Sequence, residues 1–304
     1  MRLTILHITL YFTVMMCLLF SQLTLSSDYK VAVRAHKGIE NAIERWRATV
    51  EYLNQKLPSH SFTLVPIVSL KEISLGAENG KFDFILTNPS SFVEISQLYG
   101  ATALATLNNK RANKAQNRFG SVIFTHARHD KILSLSDLKD KTLMAVSERA
   151  FGGWQVPWLE MLDQGFNPHT ELKSLIFASS KTQPEVVQAV LDGKVHAGVV
   201  RTDLLERLES AGKIDMRYLR ILNNKDINTF PFFLSTELYP EWAFASVKHV
   251  PSDLAQQVAK HLQSIKPESD AAKKGKYIGW LPPEDYTQVM KLMKRLEVGP
   301  YAQQ

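Results

Sequence analysis

Cysteine is nearly absent from the sequence: Cys17 is the only one in 304 residues. A chain with one thiol can close no internal disulfide and can build no cysteine-ligated metal site. Enzyme signatures are missing too, with no Gly-x-Ser-x-Gly, no Walker-type loop and no Gly-x-Gly-x-x-Gly after a strand. His126 and His129 stand three apart with no third ligand beside them, and two histidines do not fill a coordination shell. No cofactor, metal or catalytic residue is therefore expected. Blocks of one charge are lacking as well. The 36 Lys and Arg and 30 Asp and Glu leave a net charge of +6, spread along the chain apart from short groupings such as 273–276. This balance leans toward anionic partners and gives no footprint for nucleic acid.

Long apolar runs are confined to the N-terminus. Residues 1–27 combine Arg2, a mainly apolar stretch over 3–20 and a polar, small-residue exit ending at Ser26 and Ser27. That is the form of a secretory signal peptide, with cleavage expected near Ser26 or Ser27 and export to the periplasm. The competing reading is an uncleaved anchor, since about 18 apolar residues just span a bilayer. Cys17 lies inside this segment, so the mature chain would carry no thiol, and Met16 before it resembles a lipoprotein signal poorly.

The chain as a whole is 45% hydrophobic and 22% charged, a globular composition, and it is long enough for two domains. Ile39, Ala42, Ile43, Trp46, Val50, Leu53 and Leu57 recur at helical spacing. Strands are expected at 30–35, 62–68, 82–87, 142–146, 172–177 and 197–200, with Pro66 marking an edge or bulge. Capping boxes begin helices at Ser69 and Thr182, and further helices are expected over 153–162, 202–211, 252–265 and 284–296. This alternation predicts an α/β fold with mostly parallel sheets. The strand-like segments 120–125 and 230–235 bracket the middle of the chain and read as crossings between two lobes. Lobe 1 then comprises 28–119 and 231–304, and lobe 2 comprises 120–230.

Residues 147–155, Ser-Glu-Arg-Ala-Phe-Gly-Gly-Trp-Gln, read as a loop opening a helix. The first turn of a helix carries unpartnered N–H groups and partial positive charge, which suits an anion, while an ordinary strand-to-helix turn uses glycine too.

Five segments in order, 83–92, 119–125, 145–155, 197–203 and 230–242, resemble the phosphate, phosphite and phosphonate type of periplasmic solute-binding protein. The likeness runs from about residue 30 to residue 301. It is strongest to the branch that also forms the outer sensor region of some membrane histidine kinases. The resemblance implies a type II two-lobed fold that traps a ligand by hinge closure. It maps an anion site onto Ser147, Phe151, Gly152, Gly153 and Trp154 in the second lobe. Asn88, Ser90 and Ser91 face it from the first, with Phe92 as a wall, and Arg201, Thr202 and Asp203 follow a later strand. Phosphonate binders commonly place hydroxyls where this chain has Ala150, Phe151 and Gly152. Backbone amides then become the main donors, and a less protonated, bulkier or softer anion fits better.

Two readings of Arg201 stay open, a bidentate grip on an oxyanion and a surface ion pair with Asp203 or Glu206. Arg34, His36 and Lys37 either reach the cleft or are solvated loop charges. The expected function is capture of a small oxyanion, either phosphate- or phosphonate-like or a sulfur oxyanion, between the two lobes for an ABC-type importer, with a permease as partner. The alternative is sensing in trans with a histidine kinase, and an enzyme of the same fold is a third possibility. Gene neighbourhood would separate importer from sensor.

Overall fold

The computed structural model describes residues 27–302, so Cys17 and all of the expected signal peptide but Ser27 lie outside the described residues. The first part of the chain forms β1 (Ser27–Arg34), α1 (Ile39–Lys56), β2 (His60–Ile67), α2 (Leu70–Glu78), β3 (Phe84–Thr87), α3 (Pro89–Tyr99), β4 (Thr102–Arg111), β5 (Lys114–Gln116) and β6 (Arg118–Phe119). The middle forms β7 (Ser121–His126), β8 (Thr142–Ala145), α4 (Val156–Asp163), α5 (Pro168–Glu171), β9 (Ser174–Phe177), α6 (Gln183–Leu191), β10 (Ala197–Arg201), α7 (Leu204–Ser210) and β11 (Leu219–Leu222). The chain closes with β12 (Tyr239–Pro240), β13 (Ala243–Ser246), α8 (Ser252–Gln263), α9 (Asp270–Gly275), β14 (Tyr277–Leu281) and α10 (Thr287–Arg295).

Two open sheets result, one per lobe. The first has the order β14-β4-β13-β3-β1-β2 with β5 on β4, and the second has the order β11-β7-β10-β8-β9. A ribbon of β6 and β12 connects them. The expectation of mostly parallel sheets is corrected here. Only β2, β1 and β3 in the first sheet and β9, β8 and β10 in the second run parallel, and the remaining pairs are antiparallel. The cause is the crossing itself. Parallel strands end at the cleft, as β3 does at Thr87, and a chain returning from the other lobe must enter there. Ala243 at the start of β13 accordingly pairs with Thr87, and Ser121 at the start of β7 pairs with Arg201 at the end of β10.

The crossing also sits elsewhere than expected. Segment 120–125 lies within the second sheet, and 230–235 forms no strand, with Ser235 donating its amide to the Ser121 carbonyl at 2.8 Å. The ribbon pairs Tyr239 with Phe119 and Pro240 with Arg118.

Local signals explain most elements. The apolar stripe of α1 buries Ala42, Trp46, Val50 and Leu53, and Trp46 packs its ring on Tyr277 and Trp280. Pro66 lies in β2, the edge strand, where its missing N–H breaks no ladder. Ser69 caps α2 through the Glu72 amide at 3.3 Å. At α6 the capping box does not form. Thr182 makes no cap bond, and Glu185 instead accepts from the amides of Ser179 and Ser180 at 2.9 and 2.7 Å. The helix still begins as expected, with Pro184 in its first turn, where the missing N–H leaves one free amide fewer to satisfy.

Candidate functional site

The loop from Ser147 to Gln155 does open a helix, through a π-helical turn over Phe151–Gln155 that leads into α4. Gln155 donates to the Ala150 carbonyl at 3.1 Å, and the amides from Phe151 to Trp154 have no acceptor among the described residues. Both glycines are required by packing. A Cβ on Gly152 would stand 2.8 Å from the Phe119 ring and 3.4 Å from Arg201 Cβ, and one on Gly153 would stand 2.6 Å from Val146. The loop is thereby pressed onto the crossing strand and the end of β10.

Its aromatic residues have other duties. Phe151 is buried edge-on against Phe119 and Tyr239 on the ribbon, with centroids 6.0 and 5.2 Å apart. Trp154 stacks on Trp158 at 5.8 Å and meets Phe177 at 5.9 Å, so it belongs to the second-lobe core rather than to a cleft wall. A first-turn aromatic of an amphipathic helix falls on the apolar stripe, which faces the sheet. Ser147 is half-buried and its hydroxyl has no partner among the described residues.

On the first lobe, Asn88 caps α3 by accepting from the Ser91 amide at 2.9 Å and the Ser90 hydroxyl at 3.1 Å. Thr87 and Ser91 keep buried hydroxyls without partners. Phe92 packs on Tyr286 at 4.9 Å in the core. Thr202 is likewise structural, because its hydroxyl accepts from the Gly120 amide at 3.3 Å and its own amide donates to the Gly120 carbonyl.

Arg201 does not form the surface ion pair with Asp203 or Glu206. One Nη2–H donates to Glu241, a fully buried carboxylate on the returning strand that also accepts from Asn109. The guanidinium lies 3.9 Å over the Phe119 ring, and its Nε is buried without a partner. Asp203 pairs with Arg111 and Arg207 instead, each Nε standing 3.1 Å from Oδ2, and Glu206 turns aside to accept the Phe233 amide. The Arg111 contact is off the hydrogen-bond direction, which leaves that buried Nε–H without an acceptor.

Arg111 comes from an unforeseen hairpin of β4 and β5, turned by Ala112 and Asn113 with φ of 44° and 59°. It reaches across to the second lobe. Arg149, paired with Glu94 at 2.5 Å, bridges the lobes at a second point.

Around these pairs lies a cationic cluster. His36 and Lys37 keep exposed faces but are crowded by protein, as residues on a cleft wall are. Burial pushes the His36 imidazole down to about 3, helped by Arg45, Lys37, Arg34 and Arg201, so it is neutral at physiological pH. Its ring meets Trp242 edge-on at 5.3 Å. Burial also brings the Lys37 ammonium down to about 8, with Arg207, Arg111 and Arg45 adding to the shift and Asp203 opposing it. Arg45 is pushed down to about 9 by burial and then by Arg111, and it remains a cation at neutral pH. Its Nε and Nη2 donate to the Gly275 carbonyl and Asn109 at 2.9 and 3.0 Å.

Six cations, Arg34, Lys37, Arg45, Arg111, Arg201 and Arg207, thus surround two carboxylates, Asp203 and Glu241, leaving an excess of four positive charges. The sequence leaves residues 34–37 undecided between cleft and solvent. Arg45, Arg111, Arg207 and Glu241 give no sequence signal, since single charges on a helix or hairpin look like solvated ones. The rings of His126 and His129 lie 6.4 Å apart and those of His129 and His196 5.4 Å, and no cluster of three or more His, Cys, Asp or Glu arranged for a metal is found among the described residues.

Two open α/β sheets, a two-stranded crossing and a charged cleft between them define a two-lobed binding protein. Residues 33–292 match the family described as the phosphonate periplasmic substrate-binding proteins of ABC transporters, and the chain belongs to that family. Its members are binding proteins rather than enzymes. The tetrathionate sensor histidine kinase of Salmonella typhimurium is 28% identical over 277 residues, covering 90% of this chain. The chain spans about half that relative's length, 45%.

Solved structures share the fold. PhnD1 of Prochlorococcus marinus, in complex with methylphosphonate, superposes with a TM-score of 0.69 at 13% identity over 89% of this chain and 98% of its own. A Xanthomonas citri protein bound to ATP gives 0.73 at 14% identity, over 91% and 100%. Among the described residues no helix is long and apolar enough to cross a membrane.

Proposed function

We propose that this protein captures a small oxyanion in the periplasm between its two lobes and presents it to a membrane partner. The observation that carries this reading is the excess of four positive charges gathered from both lobes around the cleft. Like charges held together in a partly desolvated place repel, and an anion between them relieves the repulsion. The amides of the Phe151–Gln155 turn add neutral donors on the second-lobe side. The apolar leader at 1–27 would deliver the chain to the periplasm.

An ABC permease is the partner that family membership favours. Signalling in trans to a histidine kinase is the second reading, favoured by the likeness to the tetrathionate sensor kinase. Calorimetry and thermal shift of the purified protein against phosphate, methylphosphonate, sulfate, thiosulfate and tetrathionate test capture. Ligand at about 100 times its Kd is expected to add about 2.7 kcal/mol of stability. Arg111→Gln is expected to weaken binding about tenfold or more, because Arg111 is a charge shared across the cleft. A folded protein that responds to none of these anions refutes the reading.

A further inference from the structure

We propose that Asp203 is a positioning residue that sets the resting angle between the two lobes and, through that angle, the affinity of the cleft. This role deepens the oxyanion-receptor reading and rests on it. What carries it is a buried carboxylate, held on left-handed backbone beside the crossing, against an arginine of the opposite lobe.

Asp203 stands at the N-cap of α7, where an aspartate ordinarily accepts from the free amides of the first turn. Here it makes no cap bond. Its φ of 75° lies in the left-handed region, which an L residue enters at a cost. The chain thus forgoes a cap and strains its backbone at one residue, and the carboxylate is turned away from the amides of its own helix. It is 4% exposed and meets Arg111 Nε and Arg207 Nε, each 3.1 Å from Oδ2. Arg207 lies one turn along α7, whereas Arg111 ends β4 of the first sheet. Of the two pairs, the one with Arg111 ties lobe to lobe.

Its place gives this tie leverage. Thr202, the preceding residue, is bonded to Gly120 through both its hydroxyl and its amide, and Gly120 stands between the ribbon strand β6 and β7. Asp203 is therefore one residue from the pivot, where a small change in spacing becomes a large displacement at the ends of the lobes. A buried ion pair adds little net stability, and fixing the register of two parts is its better use. The contact is ionic without a directed hydrogen bond, so it lengthens gradually as the lobes turn and biases the angle rather than locking it. A cleft biased toward its binding angle loses less affinity to molecules at other angles.

Asp203→Asn separates this role from charge. Asparagine adopts left-handed backbone as readily as aspartate, so α7 should begin as before. On charge alone, deleting a carboxylate from a cationic cleft tightens anion binding. Deleting the tie weakens it.

The test puts spin labels at Glu78→Cys and Lys213→Cys, exposed positions after which α2 and α7 have led away from the cleft, in the full chain carrying Cys17→Ser. The distance between the labels is measured by electron–electron resonance with no anion added. Asp203→Asn and Arg111→Gln are each expected to shift the mean distance, and the double variant to shift it no further than either alone. Arg207→Gln, which cuts the pair inside one lobe, should leave the distance as in the wild type. Calorimetry with phosphate, methylphosphonate and thiosulfate should show Asp203→Asn weakening each anion that the wild type binds by about fivefold or more. An unchanged distance in Asp203→Asn, an equal shift in Arg207→Gln, or tighter anion binding by Asp203→Asn overturns the role while leaving anion capture standing. A wild type silent toward all three anions overturns capture and the control of affinity with it, and the distances then decide the tie alone.

Discussion

The two walls of the cleft differ in what they would offer the proposed anion. The second-lobe wall is a short stretch of consecutive chain, where the Phe151–Gln155 turn offers uncharged amides and two glycines let it lie flat on the crossing strand. The first-lobe wall is assembled from residues far apart in sequence, with Lys37 after β1, Arg45 inside α1 and Arg111 at a hairpin tip. Amides aimed at a point give direction at low electrostatic cost, whereas clustered guanidinium groups give charge and must be restrained by carboxylates. Asp203 and Glu241 provide that restraint, and both are nearly or fully buried. Shape is thus set on one side of this cleft and charge on the other, with Arg201 touching both.

The sharpest break in that division is expected at Arg201. Arg201→Ala strips a charged partner from fully buried Glu241 and should lower stability by about 3–5 kcal/mol in urea unfolding. Adding Glu241→Gln should restore part of the loss, and full additivity of the two changes would show that the pair is not coupled.

Gly152→Val probes the amide wall. Its Cβ falls 2.8 Å from the Phe119 ring, so overpacking should cost about 1–3 kcal/mol and weaken anion binding together. An unchanged melting temperature would mean that the loop is not pressed on the crossing strand.

His36 probes the charged wall through pH. Its folded pKa of about 3 lies below the unfolded value near 6.5, so the unfolded chain takes up the proton first as pH falls. Its contribution to stability is present above pH 6.5 and is lost progressively toward pH 3. His36→Gln should therefore flatten the fall in melting temperature between pH 7 and 5, and a parallel fall in both proteins would refute the assignment.

The smallest effect is expected at Arg149, which pairs with Glu94 across the lobes but is 43% exposed. Arg149→Ala should change stability by less than about 1 kcal/mol. A larger loss would make this bridge, rather than the cleft cations, the main tie between the lobes.

Much of the frame is legible in the residues alone. The stripe on α1, the caps at Ser69 and Asn88 and the edge proline in β2 are local consequences of residue type and spacing. The site is legible only in part. The loop at Phe151–Gln155 announces itself as a glycine-bearing helix start, but the facing of Trp154 and the hydroxyl of Thr202 depend on which neighbour lies behind them.

The sequence by itself determined the alternation of strands and helices, the family likeness and the position of the amide turn, because each rests on bonds and periodicities between near neighbours. Only the tertiary structure decided that the sheets are mixed, that the crossing runs through Phe119 and Tyr239, and that six cations converge on two carboxylates. Charge in a cleft depends on distance and burial, and Arg45, Arg111 and Arg201 acquire both only when residues far apart in the chain fold together.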